Sequence, residues 1–414
     1  MNFEISGDSF TAYSRKNASK DILGAGISSL ARALSKNFKN GILLRIIEGT
    51  SKIEHDTLKL FGTLASAIGE LGHFNGYIIE NELHATITNK TGEQIGMMKG
   101  TKSTFTSPLE DYSDLFKASV RLTEDKIFNK NVLQTKKWKK FEKKMTKVSA
   151  KVQDDIEMLF AFLYYANKSP ISHYLLFKSP EQENYFSKDD DSKHVFLEEK
   201  SPQTAYLKIK SFAGRGAEID SAFQIIIQNN YKNLIVDLRY NPGGGFEAAM
   251  AFASNVVDST FYGGVFLTQK WFNQHSKPPT VENYKELPNL TEDNLDLITD
   301  GMKNMEGLCL KIVPRPEVYK GNIYILTTNR TGSACEPIIY GLKQQKRATI
   351  IGEKTAGGML SAEDFPLEKG FVMFIPTADY YTSDGFRIEQ KGVKPDIKIK
   401  REKILDYAMR KLNK

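Results

Sequence analysis

The spacing of apolar residues along the chain changes from short alternating runs to longer helical periods. Three alternating runs separated by turn residues predict a β-meander: FNGYIIE at 74–80, LHATIT at 83–88 and QIGMM at 94–98. An amphipathic stretch at 22–38 precedes them. Together these patterns predict an N-terminal α+β region at residues 1–120.

A helical segment is predicted at residues 121–200. Four apolar residues recur there at spacings of three and four, which predicts an amphipathic helix: Trp138, Phe141, Met145 and Val148. The run DDIEMLFAFLYYA at 154–166 continues the helical period until Asn167 to Pro170 interrupt it.

From residue 204 onward, strand-like and helix-like runs alternate. The strand-like runs are 205–210, 233–238, 322–328 and 348–352, and the helix-like runs are 217–229, 246–257 and 334–345. This alternation predicts an α/β domain at 201–414, built on a mostly parallel sheet with helices on both faces. The polar, proline-containing interval 260–320 departs from the order, and we predict an insertion or a lid over the edge of the sheet.

Composition narrows the class of protein. Of the 414 residues, 40% are hydrophobic and 26% are charged, which excludes fibrous and wholly disordered classes. Two cysteines, Cys309 and Cys335, are too few for a disulfide scaffold. No apolar run is long enough for a membrane span, and the N-terminus lacks the order of a signal peptide. These features predict a soluble chain that is cytoplasmic, or exported if a leader has been removed.

The net charge of +7 is unevenly distributed. Residues 126–151 hold ten lysines and one acidic residue, Glu142, so the remainder of the chain is close to neutral. Such a segment can contact nucleic acid or an anionic membrane. Because its apolar residues follow a helical period, we interpret the lysines as the solvated face of a helix. We therefore expect no nucleic-acid partner.

Metal and cofactor sites are not indicated. His55, His73 and His84 lie in the N-terminal region without the HxxxH or CxxC spacing of a metal site. The glycine-rich turn at 243–245 matches neither GxxxxGK[ST] nor GxGxxG, which argues against a phosphate cradle.

Two strand-to-helix turns carry candidate chemistry. TNRTGSACE at 328–336 exposes the Ser333 hydroxyl beside the free N–H groups of a helix start, as a nucleophile with an oxyanion partner requires. On this segment alone, however, a helix-capping serine is the better interpretation. VDLRYNPGGG at 236–245 ends in three glycines whose N–H groups can point at a developing anion. Asp237 and Arg239 are interpreted as an ion pair or turn brace, and Glu336 as an acid favoured by the helix dipole.

Four motifs together resemble the S41 serine peptidases, which include the C-terminal processing proteases and the tricorn core protease. They are DLRYNPGGG at 237–245, TGSACE at 331–336, IIGEKTAGG at 350–358 and IEQKGVKPDI at 388–397. The resemblance implies an α/β catalytic domain of the ClpP/crotonase-like type. It also implies that Ser333 is the nucleophile, with Ala334 and either Gly243 or Gly244 as backbone oxyanion donors, and that no cofactor is needed.

The residue expected to act as general base differs between two branches of this family. Processing proteases that use a Ser/Lys dyad carry lysine where this chain has Gly358, and Lys354 stands in the wrong register. The tricorn-like branch uses an upstream Ser-His pair and a glutamate near the C-terminus, which match Ser172, His173 and Glu389. The resemblance therefore implies that His173 is the base.

The resemblance implies a peptide or unfolded protein as substrate and leaves homo-oligomerisation open. A PDZ domain is not expected between His173 and Thr204, because a folded domain needs more residues than lie there. One alternative is a non-catalytic ligand carrier on the same scaffold, as in interphotoreceptor retinoid-binding protein. An intact set of Ser333, His173 and Glu389 favours hydrolysis over that alternative.

Overall fold

The structure, a computed structural model, describes residues 2–13, 45–66, 69–89, 92, 94–102, 111–152, 155–178, 193–298 and 302–412. The amphipathic stretch predicted at 22–38 lies outside the described residues. The chain forms two compact units: Met1–Val120 with Lys139–Lys168, and Arg121–Trp138 with Ser169–Lys414. The segment predicted at 121–200 is thus divided between the two units, and its Ser-His motif belongs to the second.

The first unit contains a seven-stranded antiparallel sheet whose strands follow the order of the chain. They are β1 (Asn2–Ser6), β2 (Ser9–Tyr13), β3 (Arg45–Glu54), β4 (Thr57–Ser66), β5 (Gly69–Ile79), β6 (Glu82–Thr88) and β7 (Gln94–Thr101). The pairing of β5 with β6 and of β6 with β7 confirms the predicted meander. Alternate residues form an apolar cluster on one face, with Leu60 and Phe74 fully buried.

Three helices follow: α1 (Ser113–Lys126), α2 (Lys136–Ser149) and α3 (Asp155–Ala166). The amphipathic prediction for α2 is confirmed, because Trp138, Phe141, Met145 and Val148 are all buried. Within the first unit, the ring of Phe141 meets Phe162 edge to face, with centroids 5.6 Å apart. The apolar side of α2 is therefore fixed in the protein.

The second unit contains a six-stranded sheet in the order β19-β16-β15-β11-β10-β9. In chain order the strands of this unit are β8 (Leu175–Lys178), β9 (Val195–Ser201), β10 (Thr204–Ile209), β11 (Asn233–Asp237), β12 (Phe261–Thr268), β13 (Asn289–Leu290), β14 (Gly307–Ile312), β15 (Asn322–Thr327), β16 (Thr349–Gly352), β17 (Leu360–Pro366), β18 (Phe371–Thr382) and β19 (Ile397–Lys398). Every pair of this sheet is parallel except β9 with β10, which confirms the mostly parallel α/β prediction.

Helices cover both faces of this sheet. The helices of the second unit are α4 (Gly216–Gln228), α5 (Phe246–Ser254), α6 (Gln269–Gln274), α7 (Cys335–Gln344) and α8 (Ile404–Leu412), and α6 packs against β12 of the other sheet. Phe223 of α4 and Ile338 of α7 join the main core with alternate strand residues such as Ile325. On the opposite face Ile404 of α8 packs in a cluster with Leu326. None of the described helices is long and apolar enough to cross a membrane.

The interval predicted as an insertion is part of a second sheet, in the order β13-β14-β12-β18-β17 with β8 paired to β18. Its strands β12 and β14 pair with each other, and β12 also pairs with β18. Val265, Leu267 and Cys309 are fully buried. The interval 260–320 thus supplies three strands of this sheet, because its apolar residues pair with a strand far along the chain.

Candidate active site

Ser333 lies where β15 hands over to α7, and its backbone is held in an uncommon conformation. Its φ angle is 51°, a left-handed value that costs a residue with a Cβ on the order of 1 kcal/mol. The Ser333 N–H donates to the carbonyl of Gly358 at 3.1 Å, and its own carbonyl accepts the N–H of Glu336 at 2.8 Å. These two bonds fix the direction of the Ser333 side chain.

The glycine turn after β11 packs directly against this serine. A Cβ on Gly243, whose φ is 108°, would lie 2.5 Å from the Cβ of Ser333 and 3.0 Å from the Ala334 nitrogen. Only glycine allows this approach. Asn241 joins the two turns, since its side-chain oxygen accepts the Gly243 N–H at 2.8 Å and its carbonyl accepts the Gly332 N–H at 3.1 Å.

The predicted oxyanion donors differ in availability. Gly243 donates its N–H to Asn241, so that group is engaged. Within the described part of the chain, the N–H groups of Gly244 and Ala334 make no hydrogen bond. Ala334 follows Ser333 at the start of α7, and Gly244 follows Gly243, the glycine that packs against Ser333. Two free N–H groups beside a hydroxyl are the donor set that a tetrahedral intermediate requires.

Ser172, His173 and Glu389 form one hydrogen-bonded group within the second unit. The Ser172 hydroxyl lies 2.9 Å from Nδ1 of His173 and donates to Oε2 of Glu389 at 2.8 Å. Oε1 of Glu389 accepts the backbone N–H of Ser172 at 2.8 Å. The predicted relay residues, which are more than 200 positions apart in sequence, therefore lie together.

This geometry assigns the tautomer of the imidazole. The Glu389 carboxylate only accepts hydrogen bonds, so the single proton of the Ser172 hydroxyl is directed to it. That hydroxyl must then accept a hydrogen bond from Nδ1–H of His173. Nε2 of a neutral His173 consequently carries the lone pair, as a general base requires.

The surroundings of His173 keep the imidazole neutral. Burial lowers its pKa below the usual 6.5, and the Glu389 carboxylate opposes that shift. The φ angle of His173 is 53°, a second left-handed residue in this site, and its ring lies 6.2 Å from that of Phe374, centroid to centroid. Backbone strain at two of the predicted site residues is typical of functional positions.

Gly358 contacts both Ser333 and His173. Its carbonyl accepts the Ser333 N–H, and a Cβ built on it would lie 3.5 Å from Cε1 of His173. The imidazole therefore occupies the space into which a long side chain at position 358 would project. Among the described residues the Ser333 hydroxyl has no hydrogen-bond partner.

The remaining charged candidates are structural or exposed. Arg239 binds Asp237 with Nη2 at 2.6 Å from Oδ2, and the Tyr206 hydroxyl donates to the same oxygen at 2.6 Å. This is the ion pair and turn brace that the sequence predicts. Lys354 is exposed to solvent.

Glu336 is the residue that sequence reasoning left out. Its side chain is fully buried, and its two oxygens accept the Gly357 N–H at 2.8 Å and the Gly358 N–H at 3.0 Å. The Thr355 hydroxyl donates to Oε1 at 2.5 Å. The next N–H, that of Met359, donates to Glu389 at 2.9 Å. Two buried carboxylates thus hold three consecutive N–H groups.

The surroundings of Glu336 shift the pKa of its carboxyl group. Burial raises its pKa to about 7, although the hydrogen bonds from Thr355, Gly357 and Gly358 act in the opposite direction. The only sequence signal was an acid in the first turn of a helix, which the dipole explains equally well. Gly357 and Gly358 lie on a different loop, and their distance from Glu336 along the chain follows no helix or strand period that would predict a contact.

A family model matches the part of the chain that builds this site. Residues 203–399 match the model for peptidase family S41. This range contains Ser333, Glu389 and the glycines at 243–245 and 357–358, whereas Ser172 and His173 precede it.

Curated relatives and a solved structure are also similar to this chain. The chain is 25% identical over 217 residues to the carboxy-terminal processing protease CtpA of Bacillus subtilis, covering 52% of this chain and 38% of that protein. It is 26% identical over 192 residues to the carboxyl-terminal-processing protease of a Synechocystis species, covering 46% and 36%. The chain thus spans well under half the length of these relatives. The fold is similar to that of a candidate peptidase from Parabacteroides merdae, with a TM-score of 0.52, 15% identity, and 73% and 97% coverage.

The Glu336 bonds predict a pH-dependent effect of Thr355. We expect Thr355→Val to lower the free energy of unfolding by about 1–3 kcal/mol, since it removes the donor to Glu336 and the acceptor of the Val393 N–H. The loss should be larger at pH 8 than at pH 5.5, because the lost donor faces a charge only above the Glu336 pKa of about 7. Urea unfolding at both pH values measures this, with Thr355→Ser as the matched control. An equal loss at both pH values would contradict the assignment.

The space beside Gly358 predicts a size limit at that position. We expect Gly358→Ala to retain activity, because a methyl group at 3.5 Å from His173 makes an ordinary contact. Gly358→Leu should displace the imidazole and lower the rate at which a fluorophosphonate probe modifies Ser333 by about 100-fold, the contribution of a general base. The labelling rates of both variants are measured with this probe, and circular dichroism checks that both variants fold. Labelling of the leucine variant at the wild-type rate would contradict this geometry.

Proposed function

Because residues 203–399 belong to peptidase family S41, we propose that this chain is a serine peptidase in which Ser333 is the nucleophile and His173 the general base. The observation that carries the proposal is the hydrogen-bonded group of Ser172, His173 and Glu389, together with free N–H groups at Gly244 and Ala334. We further propose a ClpP/crotonase-like arrangement for the parallel sheet, supported by the order β16-β15-β11-β10 and the turns at its carboxyl ends.

The reaction begins with a proton transfer that the tautomer of His173 permits. Nε2 takes the proton of the Ser333 hydroxyl as its oxygen attacks the peptide carbonyl carbon. The oxyanion that forms accepts hydrogen bonds from the N–H groups of Gly244 and Ala334. The negative charge of Glu389 stabilises the imidazolium through the Ser172 hydroxyl. That hydroxyl donates to Glu389 and accepts a hydrogen bond from Nδ1–H of His173.

Collapse of the intermediate completes the first half of the reaction. The imidazolium returns its proton to the leaving amine, the peptide bond breaks, and an acyl ester remains on Ser333. Water then attacks the ester while Nε2 of His173 accepts its proton. A second collapse releases the carboxylic acid product and restores the Ser333 hydroxyl. The substrate in this proposal is a peptide or an unfolded protein, which can place an extended chain segment beside Ser333.

The base is proposed to be histidine and not lysine. The branch with a Ser/Lys dyad would need a lysine amine at position 358, where this chain has glycine and the imidazole fills the adjacent space. The alternative of a non-catalytic carrier is less well supported, because a carrier has no need of an ordered hydroxyl-imidazole-carboxylate group beside a strained serine.

The central test is covalent labelling. We expect a fluorophosphonate probe to modify the wild-type chain once and to leave Ser333→Ala unmodified, as read by intact mass. His173→Ala should be labelled at least about 100-fold more slowly, because the hydroxyl loses its base. Ser221→Ala is the matched control, since Ser221 is an exposed serine of α4 that bonds only a helix carbonyl. Cleavage of an unfolded protein substrate is followed in parallel.

Each outcome of the labelling bears on a different part of the proposal. Labelling that persists in Ser333→Ala would exclude it as the nucleophile. A folded wild type that neither labels nor cleaves would contradict the peptidase proposal and favour a search for apolar ligands. Full reactivity in His173→Ala would exclude His173 as the base and leave the nucleophile unaffected.

The pH dependence distinguishes the two kinds of base. The imidazole must be neutral to accept a proton, so activity should be lost as the pH falls through the pKa of His173, which lies below 6.5. In Glu389→Gln the acid limb of kcat/KM should move to still lower pH, because Glu389 raises that pKa, and kcat should fall about 100-fold or more. Glu368→Gln, at an exposed carboxylate, is the control. An activity limb at alkaline pH would instead indicate a lysine base.

A further inference from the structure

The exposed side of α2 carries charge of one sign. Its exposed residues include a set that we call the lysine face: Lys136, Lys137, Lys139, Lys140, Lys143 and Lys147. Within the described part of the chain, none of these six makes an ion pair or a side-chain hydrogen bond. Glu142 is the single acidic residue of the helix.

This arrangement is unfavourable in the isolated protein. Like charges three or four positions apart lie side by side on a helix and destabilise it by a few tenths of a kcal/mol each. Lys136 and Lys140, Lys139 and Lys143, and Lys143 and Lys147 are such pairs. A solvated face needs polar residues, but it does not need one sign of charge, and mixed signs would be more stable. A partner with negative charge would relieve this repulsion.

The chemistry of the face indicates which anionic partner it fits. The apolar residues of α2, including its one tryptophan, are buried in the protein, so the face offers no aromatic ring on which a base could stack. Residues 126–151 contain no arginine, the residue that binds phosphates and bases in bidentate geometry. Lysines that act as point charges over a helix roughly 20 Å long suit a diffuse, extended negative surface.

We propose that the lysine face of α2 binds the surface of an anionic lipid bilayer. The attachment is peripheral and electrostatic, because the apolar side of the helix is already packed in the protein core and cannot insert into the lipid. Each lysine near such a surface contributes additively, and the attraction falls off within a Debye length. The proposal is independent of the peptidase activity.

The test is co-sedimentation of the full chain with vesicles. We expect binding to phosphatidylcholine vesicles that contain phosphatidylserine, none to vesicles of phosphatidylcholine alone, and release of the bound protein at high salt. Neutralising the centre of the face with Lys136→Gln, Lys140→Gln, Lys143→Gln and Lys147→Gln should weaken binding about tenfold or more. The matched control carries the same change of charge elsewhere, at four exposed lysines: Lys320, Lys394, Lys400 and Lys403.

Thermal unfolding at low salt provides a second measurement. Glutamine retains good helix propensity, and its substitution removes the repulsion between lysines, so the α2 variant should unfold at the same temperature as the wild type or higher. Vesicle binding should then be lost from a folded protein. Equal binding to neutral vesicles, no binding to anionic vesicles at low salt, or equal weakening in both quadruple variants would each overturn the proposal. Tighter binding to duplex DNA than to anionic vesicles would assign the face to nucleic acid instead.

Discussion

Three consecutive backbone N–H groups held by two buried carboxylates are the constraint on which the candidate site depends. Glu336 accepts the N–H groups of Gly357 and Gly358, and Glu389 accepts that of Met359. Neither carboxylate could be buried without such donors, because an unpaired charge in the interior costs several kcal/mol. The same short segment therefore satisfies two charges that would otherwise repel each other. Glu336 belongs to the helix that begins beside Ser333, and Glu389 binds Ser172, whose hydroxyl is bonded to His173.

The two sheets of the second unit each supply half of this arrangement. The turns after β11, β15 and β16 carry Asn241, Ser333 and Gly358 at the carboxyl ends of parallel strands, where open α/β sheets form their sites. His173 precedes β8 and Glu389 follows β18, and these strands pair in the antiparallel sheet. The left-handed backbone of Ser333 and of His173 persists because the surrounding structure holds each residue in place. The two residues lie next to strands of different sheets, so local sequence does not determine their relative position.

Local patterns predicted the elements well, and long-range contacts explain the rest. The parallel strands and their helices were evident because buried β-branched runs alternate with helical periods, and α7 begins within a residue of its predicted start. The strands of 260–320 were hidden because Phe261–Thr268 pairs with a strand more than 100 residues later and contains two glycines and a bulge. Ser172, His173 and Glu389 came from a family resemblance, since no spacing connects positions so far apart. The contacts of Glu336 were not predicted, because an acid in the first turn of a helix is already explained by the helix dipole. Gly357 and Gly358 lie near Glu336 only in the folded chain.

The electrostatics of this chain act over two different ranges. The carboxylates of the site lie within hydrogen-bond distance of their partners and away from solvent, so dissolved ions screen them little. The lysines of α2 face water, where their mutual repulsion extends over a Debye length and weakens as salt is added. Changes of ionic strength therefore act on the helix surface and leave the geometry around Ser333 and His173 almost unchanged, whereas protonation of Glu336 near neutral pH acts on the site and not on the lysines. Salt concentration therefore changes the repulsion between the lysines of α2, whereas pH near neutrality changes the charge of Glu336 in the candidate site.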